Sequence, residues 1–284
     1  MSIRYKRVYK IIIGTGDSAL IIDGFKDAPL QVRFAVDQTP SNNLAYAEIT
    51  LFGLSRETRE RIKTSQEPIQ LIAGYASDYG TIFSGQIFTV ESSREGVSTY
   101  TRLFCRSGGG AKNAVLAVGK GTPQKDIIRK VAETLFKPVR FVGNFDSLPV
   151  ATGGKTIARN SIQALNELAK AFSFTWIIAN GELIITKDGA ATNDVYTYSL
   201  RNGLIGTPSI TMLGVDATVL LSPNIRLSDK FKIKSELGQF SFNEVNIKNY
   251  PQTLGAGIQK VNSIVHTGDF YNGAWETKLE GVNV

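Results

Sequence analysis

Leu30-Gln31-Val32-Arg33-Phe34-Ala35-Val36 alternates apolar and polar or small residues, and Ala45, Ala47, Ile49 and Leu51 continue the same period. A period of two places one face of a strand on a core and the other toward water. Between the two runs lies Asp37-Gln38-Thr39-Pro40-Ser41-Asn42-Asn43, whose polar and turn-forming residues read as a loop. Ser55 is placed to cap a short charged helix over 56–63. Further strand runs follow at Ile69 to Tyr75, Ile82 to Val90 and Val97 to Arg106. In the last, Thr99, Thr101, Leu103 and Cys105 share a side with Val97, while Tyr100, Arg102, Phe104 and Arg106 take the other. Short strands with polar turns point to a barrel or a sandwich.

Ser107-Gly108-Gly109-Gly110 interrupts this pattern. Beyond it, Thr122 and Pro123 fit an N-cap and first helical position, and Ile127, Ile128, Val131 and Leu135 follow at helical spacing up to Pro138. A second helix begins near Asn160 or Ser161, with Ile162, Leu165, Leu168, Ala169 and Phe172 on one face. Phe174-Thr-Trp-Ile-Ile-Ala179 and Glu182-Leu-Ile-Ile-Thr-Lys187 flank Asn180-Gly181, the signature of a type I′ hairpin. Strand-like runs return at 196–200, 217–221, 231–234, 259–266 and 274–281. The fold class is therefore mainly β with an α+β insert. The segments are 1–108, a β domain; 109–190, two helices and a hairpin; and 191–284, a second β domain.

The 284 residues are enough for sizeable cores without disulfides or metals. With 42% hydrophobic and 20% charged residues, general disorder is excluded. A single cysteine, Cys105, forbids an intrachain disulfide, and a single histidine, His266, leaves no Cys/His zinc cluster. No run approaches the ~20 apolar residues of a membrane span, and the apolar run 11–13 is too short for a signal peptide. These features describe a soluble protein made in a cytoplasm. The net charge of +7 permits an acidic partner such as nucleic acid. However, Arg56, Arg59, Arg61 and Lys63 are interleaved with Glu57 and Glu60, which reads as a solvated face.

The motifs that could carry chemistry are weak. Gly153-Gly154-Lys155-Thr156 ends like a phosphate-binding loop, but Pro149 occupies the place of its first glycine. Gly14-Thr15-Gly16 is followed by a strand run rather than by the helix a dinucleotide site needs. His266 is the one possible catalytic base of its type; Asp269 lies near enough in sequence to orient it, but no Gly-x-Ser-x-Gly elbow exists. Cys105 sits with Leu103 as a buried, inert thiol. No catalytic, cofactor or metal residue is assigned.

Two stretches carry a resemblance. The first joins Ala47-Glu-Ile-Thr-Leu-Phe-Gly-Leu-Ser55 and its charged helix to Ile69-Gln-Leu-Ile-Ala-Gly-Tyr75 and Thr81-Ile-Phe-Ser-Gly-Gln-Ile87. The second comprises Gly203-Leu-Ile-Gly-Thr-Pro208, 217–224, His266-Thr-Gly-Asp269 and Trp275-Glu-Thr277. In order and extent they resemble the N- and C-terminal modules of bacteriophage tail baseplate hub proteins.

The resemblance implies a structural hub in which two barrel-like domains per subunit flank the insert. Three chains would form a ring with six similar modules, adapting a sixfold tail tube to a threefold spike and lining the DNA channel. Implied partners are further copies in a homotrimer, the tail tube and spike proteins, and other baseplate and tape measure proteins, with DNA as passing cargo. The place would be the virion tail baseplate, assembled in the host bacterial cytoplasm. A hub of a phage-like contractile particle, or tailocin, is the runner-up, and a cell-wall hydrolase on a β scaffold is a third reading. The chain reaches Val284 with no appended lysozyme, spike or peptidase domain, which counts against the third. Within this frame Asp37, Gln38, Thr39, Pro40, Ser41, Asn42 and Asn43 are expected to contact a neighbouring subunit or the tube.

Overall fold

Alternation of side chains becomes a shared sheet in the computed structural model, which describes residues 5–63, 67–108, 112–234, 241–242 and 257–284. The N-terminal strands are β1 (Arg7–Ile13), β2 (Leu20–Asp23), β3 (Val32–Gln38), β4 (Tyr46–Phe52), β5 (Pro68–Tyr75), β6 (Asp78–Glu95) and β7 (Ser98–Arg106). Helix α1 (Arg56–Lys63) links β4 to β5, and the Ser55 hydroxyl accepts from the Thr58 N–H at 3.1 Å. Val32, Phe34 and Val36 are buried, as are Ala47, Ile49 and Leu51, so the period of two does set the core face. Val97 is fully exposed at the β6–β7 turn instead of continuing the buried row of β7.

The insert contains β8 (Asn113–Val118), α2 (Gln124–Leu135), β9 (Val139–Val142), β10 (Lys155–Asn160), α3 (Ser161–Phe172), β11 (Phe174–Ala179) and β12 (Glu182–Lys187). Thr122 does not cap α2: its hydroxyl donates to the Gly119 carbonyl at 2.9 Å, and Pro123 holds the N-cap position. Asn160 does cap α3, its Oδ1 accepting from Ile162 N at 3.0 Å and Gln163 N at 3.4 Å. Ala179 faces Glu182 across Asn180 (φ 50°) and Gly181 (φ 81°), two positive φ values that a type I′ turn demands.

The last segment supplies β13 (Val195–Tyr198), β14 (Leu204–Ile210), β15 (Val215–Leu220), β16 (Lys230–Ile233), β17 (Ser241–Phe242), β18 (Ile258–Asp269) and β19 (Trp275–Asn283). Strand pairing runs β17-β14-β15-β19-β18-β3-β4-β7-β6-β5-β1-β2, with β16 joined to β18 and β13 to β16. The expected mainly-β fold is present, but two barrel-like domains are not seen as closed barrels: no closed ring of pairing occurs among the described residues. The reason is the antiparallel pairing of β18 with β3, Ile264 opposite Gln38 through Asp269 opposite Arg33, which joins the two β segments edge to edge. One apolar core accordingly runs through both, from Tyr9 and Ile49 to Phe231 and Leu279.

A second core belongs to the insert and includes Ile128, Val131, Leu165, Trp176 and Leu183. The β11–β12 hairpin lies between the two. Ile177, Ala179 and Ile184 face the sheet core, while Trp176, Ile178, Leu183 and Ile185 face the insert core. Burial on both faces explains why these strands are continuously apolar instead of alternating.

Candidate interface at the junction of sheet and insert

The loop singled out in the sequence lies where the insert meets the sheet. Asp37 and Gln38 still belong to β3, Pro40–Asn42 forms one 3-10 turn, and Asn43 takes a left-handed φ of 59°. Gln38 is buried, and its Nε2 donates to the Ile82 carbonyl at 3.0 Å and to Asn180 Oδ1 at 3.1 Å. The Ile178 N–H donates to the Asn43 carbonyl at 2.9 Å, and Ala45 N donates back to the Ile178 carbonyl at 3.0 Å. Asn166 Oδ1 accepts from Asn43 Nδ2 at 3.3 Å and from Trp176 Nε1 at 2.9 Å. The Ser107 hydroxyl accepts from Ala45 N at 2.8 Å and donates to the Ile178 carbonyl. Much of the loop is thus engaged within its own chain, as a clamp on β11.

What remains open is the outer rim. Thr39, Pro40 and Ser41, with Lys170, Asp188 and Asn262, line a groove of about 660 Å³. Ser41 is exposed; Thr39 donates to Asp37 Oδ1 at 2.5 Å, which stiffens the turn. The clamp residues Asn166, Asn180 and Ser107 escaped the sequence reading. Asn166 is a polar residue in the middle of α3, Asn180 was read only as a turn residue and Ser107 only as a break, and nothing local announces a partner more than 60 residues away. Of the boundary read at Ser107 to Gly110, Gly109 and Gly110 lie outside the described residues. Replacing Gln38 by leucine would orphan the Ile82 carbonyl and the Asn180 amide. The expected loss is about 1–3 kcal/mol, with faster hydrogen exchange at Ile178 and Ala45; unchanged exchange there would contradict the clamp.

His266 is buried, and its Nδ1 lies 2.8 Å from the Thr277 hydroxyl oxygen, which also accepts from Ser222 N at 3.0 Å. Burial pulls its pKa down to about 3, so the ring is neutral. Asp269 does not orient it. Burial alone would raise that carboxyl, but hydrogen bonds from Gln31, Asn272 and Arg33 outweigh it and hold it below the usual range. These partners fasten the β18–β19 turn. Trp275 is buried beside it, donating from Nε1 to the Gly74 carbonyl at 2.9 Å and packing edge-on to Phe34 at 5.1 Å.

Cys105 is buried, and burial pushes its thiol up to about 12. Thiolate is the reactive form, so Cys105 should resist a thiol reagent at pH 8 in the folded protein and react once denatured. Rapid labelling of the native chain would count against this packing.

Lys155-Thr156 opens β10 rather than a helix, and Gly16–Ser18 is a 3-10 turn leading into β2, so neither glycine motif meets the geometry of a nucleotide site. On α1, Arg56 pairs with Glu60 at 2.8 Å with both side chains largely exposed, as a solvated face would. Among the described residues no group of three His, Cys, Asp or Glu side chains comes together as a metal site requires, and no helix is long and apolar enough to cross a membrane.

The family model for baseplate hub gp41 matches residues 11–244. The chain belongs to the baseplate hub gp41 family. The family is that of a structural component of the virion tail. No curated protein matches the hub chain in sequence. Its fold is similar to that of a tail protein from Neisseria meningitidis MC58, with a TM-score of 0.58 at 12% identity, covering 98% of this chain and 97% of that one. The 43 kDa tail protein of prophage MuSo2 from Shewanella oneidensis gives 0.58 at 10% identity, over 97% and 98%. The E. coli c3393 protein gives 0.58 at 9% identity, over 91% and 75%; it is described as a type VI secretion component with structural similarity to T4 tail proteins gp27 and gp5. At such identities the likeness is one of fold, and it spans the hub chain almost from end to end.

Proposed function

We propose that this chain is the central structural hub of a phage tail baseplate, carrying no chemical step of its own. The observation that supports this reading most is the hub-family match over residues 11–244, which takes in most of the first β segment, the whole insert and the first part of the second β segment, up to β17. In the finer reading, three copies surround the tail axis, each contributing two related β modules and a smaller unit spanning 109–190. The ring presents six similar surfaces to the tube and a threefold surface to the spike, and DNA passes through its lumen. Among the described residues the sheet ends at β2, β17 and β13, and open edges of this kind favour pairing with a neighbour. The rim at Thr39, Pro40 and Ser41 would face a neighbouring subunit or the tube.

A hub of a related injection particle is a second reading, favoured by the fold shared with the E. coli type VI secretion component. Copy number in the assembled particle tests both. Three copies on the axis are expected; six or twelve copies away from it would make this a peripheral baseplate component. Peptidoglycan turbidity should stay constant with the pure protein, since sustained clearing would mark a hydrolase.

A further inference from the structure

Strands β8 and β10 form a two-stranded ribbon, and among the described residues the side of β10 turned away from β8 carries no strand. An edge of this sort leaves backbone N–H and C=O groups available to an added chain. Beside it lies a groove of about 580 Å³, within the range of sites that hold a ligand side chain. Its floor is apolar: Val118, Ile127 and Ile157 at the base, with Leu168 and Phe172 of α3 only half-buried above them. Two large apolar side chains left half in water on one helix face are a surface that gains from being covered.

The charged residues of the rim are Lys155, Arg159 and Glu167, one positive charge in excess. Lys155 is exposed and has no carboxylate partner among the described residues, whereas Arg159 is neutralised by Glu167. Lys120 stands in the adjoining turn, where Gly121 N donates to the Ala151 carbonyl at 2.7 Å. The chain as a whole carries +7. Cations at the mouth, an apolar floor and a free strand edge select the same occupant.

We propose that this groove receives an extended acidic segment of a partner chain, which adds as a strand to β10 and buries an apolar side chain against Leu168 and Phe172. Alternate residues of an added strand face one side, so an apolar residue flanked at a distance by Asp or Glu meets both the floor and Lys155. The inference concerns the insert alone and does not depend on the copy number of the hub.

The test uses the isolated full chain and three fluorescent peptides: Asp-Glu-Leu-Thr-Leu-Thr-Asp-Glu, its counterpart with Lys in place of every acid, and its counterpart with Ser in place of both Leu. Fluorescence anisotropy should show the first binding at least about tenfold more tightly than either counterpart, weakening as salt is raised. Hydrogen exchange should slow at residues 155–160 in its presence. Lys155→Glu, at an exposed position that leaves the fold intact, should cut affinity for the acidic peptide about tenfold and favour the Lys peptide. Leu168→Ser should weaken it without changing charge preference. Equal binding of all three peptides, protection that bypasses β10, or a Lys155→Glu chain that binds as the wild type does would each overturn the assignment.

Discussion

Trp275→Ala lowers the stability of the folded chain by about 3–5 kcal/mol, the range for emptying a well-packed aromatic site. The position ties distant parts of the chain together. Trp275 Nε1 donates to the Gly74 carbonyl, and the Tyr75 hydroxyl donates to the Trp275 carbonyl at 3.2 Å. The Arg7 guanidinium lies 5.7 Å from the indole centroid and donates to the Asp269 carbonyl at 2.7 Å. The ring also packs edge-on against Phe34 and Phe270. Removing it opens a cavity where β1, β3, β5 and β19 converge. Trp275→Phe keeps most of the apolar contact and loses the indole hydrogen bond, so it should cost far less, about 1–2 kcal/mol. Urea denaturation of both variants measures this. Equal, small losses for the two would mean that the site is peripheral to the core.

The second large effect is a pH dependence from His266. In the unfolded chain a histidine titrates near pH 6.5, whereas burial holds the folded group down to about 3. Between those values the unfolded state binds a proton that the folded state refuses. The stabilisation is complete above about pH 6.5 and is lost at about 1.4 kcal/mol per pH unit as the pH falls toward 3. Carboxylates titrate in the lower part of the same window. The contribution of Asp269, with its depressed pKa, starts to be lost as the pH falls through the ordinary carboxylate range, while Asp216 and Asp229, raised chiefly by burial, act in the opposite sense. Comparison with a variant at 266 alone cancels all three. His266→Gln keeps a polar partner for the Thr277 hydroxyl and removes the titration. Its stability relative to wild type should improve steadily from pH 7 to pH 4. Parallel stability curves for the two proteins would show that His266 is not held neutral.

The local features legible in the sequence are those with local causes. The strands at 32–36 and 46–52 follow from a period of two, α2 from Ile127, Ile128, Val131 and Leu135, and the Asn180-Gly181 turn from residues that tolerate positive φ. Strands β8, β9 and β10 carried weaker marks, because β8 and β10 form only a two-stranded ribbon that buries few residues, Ala114, Val118 and Ile157 among them, and β9 is four residues long. The loop at 37–43 was recognisable as polar, but polarity does not distinguish a loop that greets a partner from one that clamps its own chain. Gln38 was invisible as a clamp residue because its partners, Ile82 and Asn180, stand 44 and 142 residues away.

By itself, then, the sequence determined the order of β, α+β and β segments, the core faces of the strands, the hairpin and the absence of an intrachain disulfide. These depend on side-chain period, turn chemistry and composition, all of which are local. Only the tertiary structure decided that β18 joins β3 and merges the two β segments into one sheet, that Asp269 serves a turn instead of His266, and that the insert leaves one edge of β10 beside an apolar groove. Strand pairing is read through backbone N–H and C=O groups that every residue shares. Which edges meet is therefore settled by packing across the whole chain, and no single stretch of sequence encodes it.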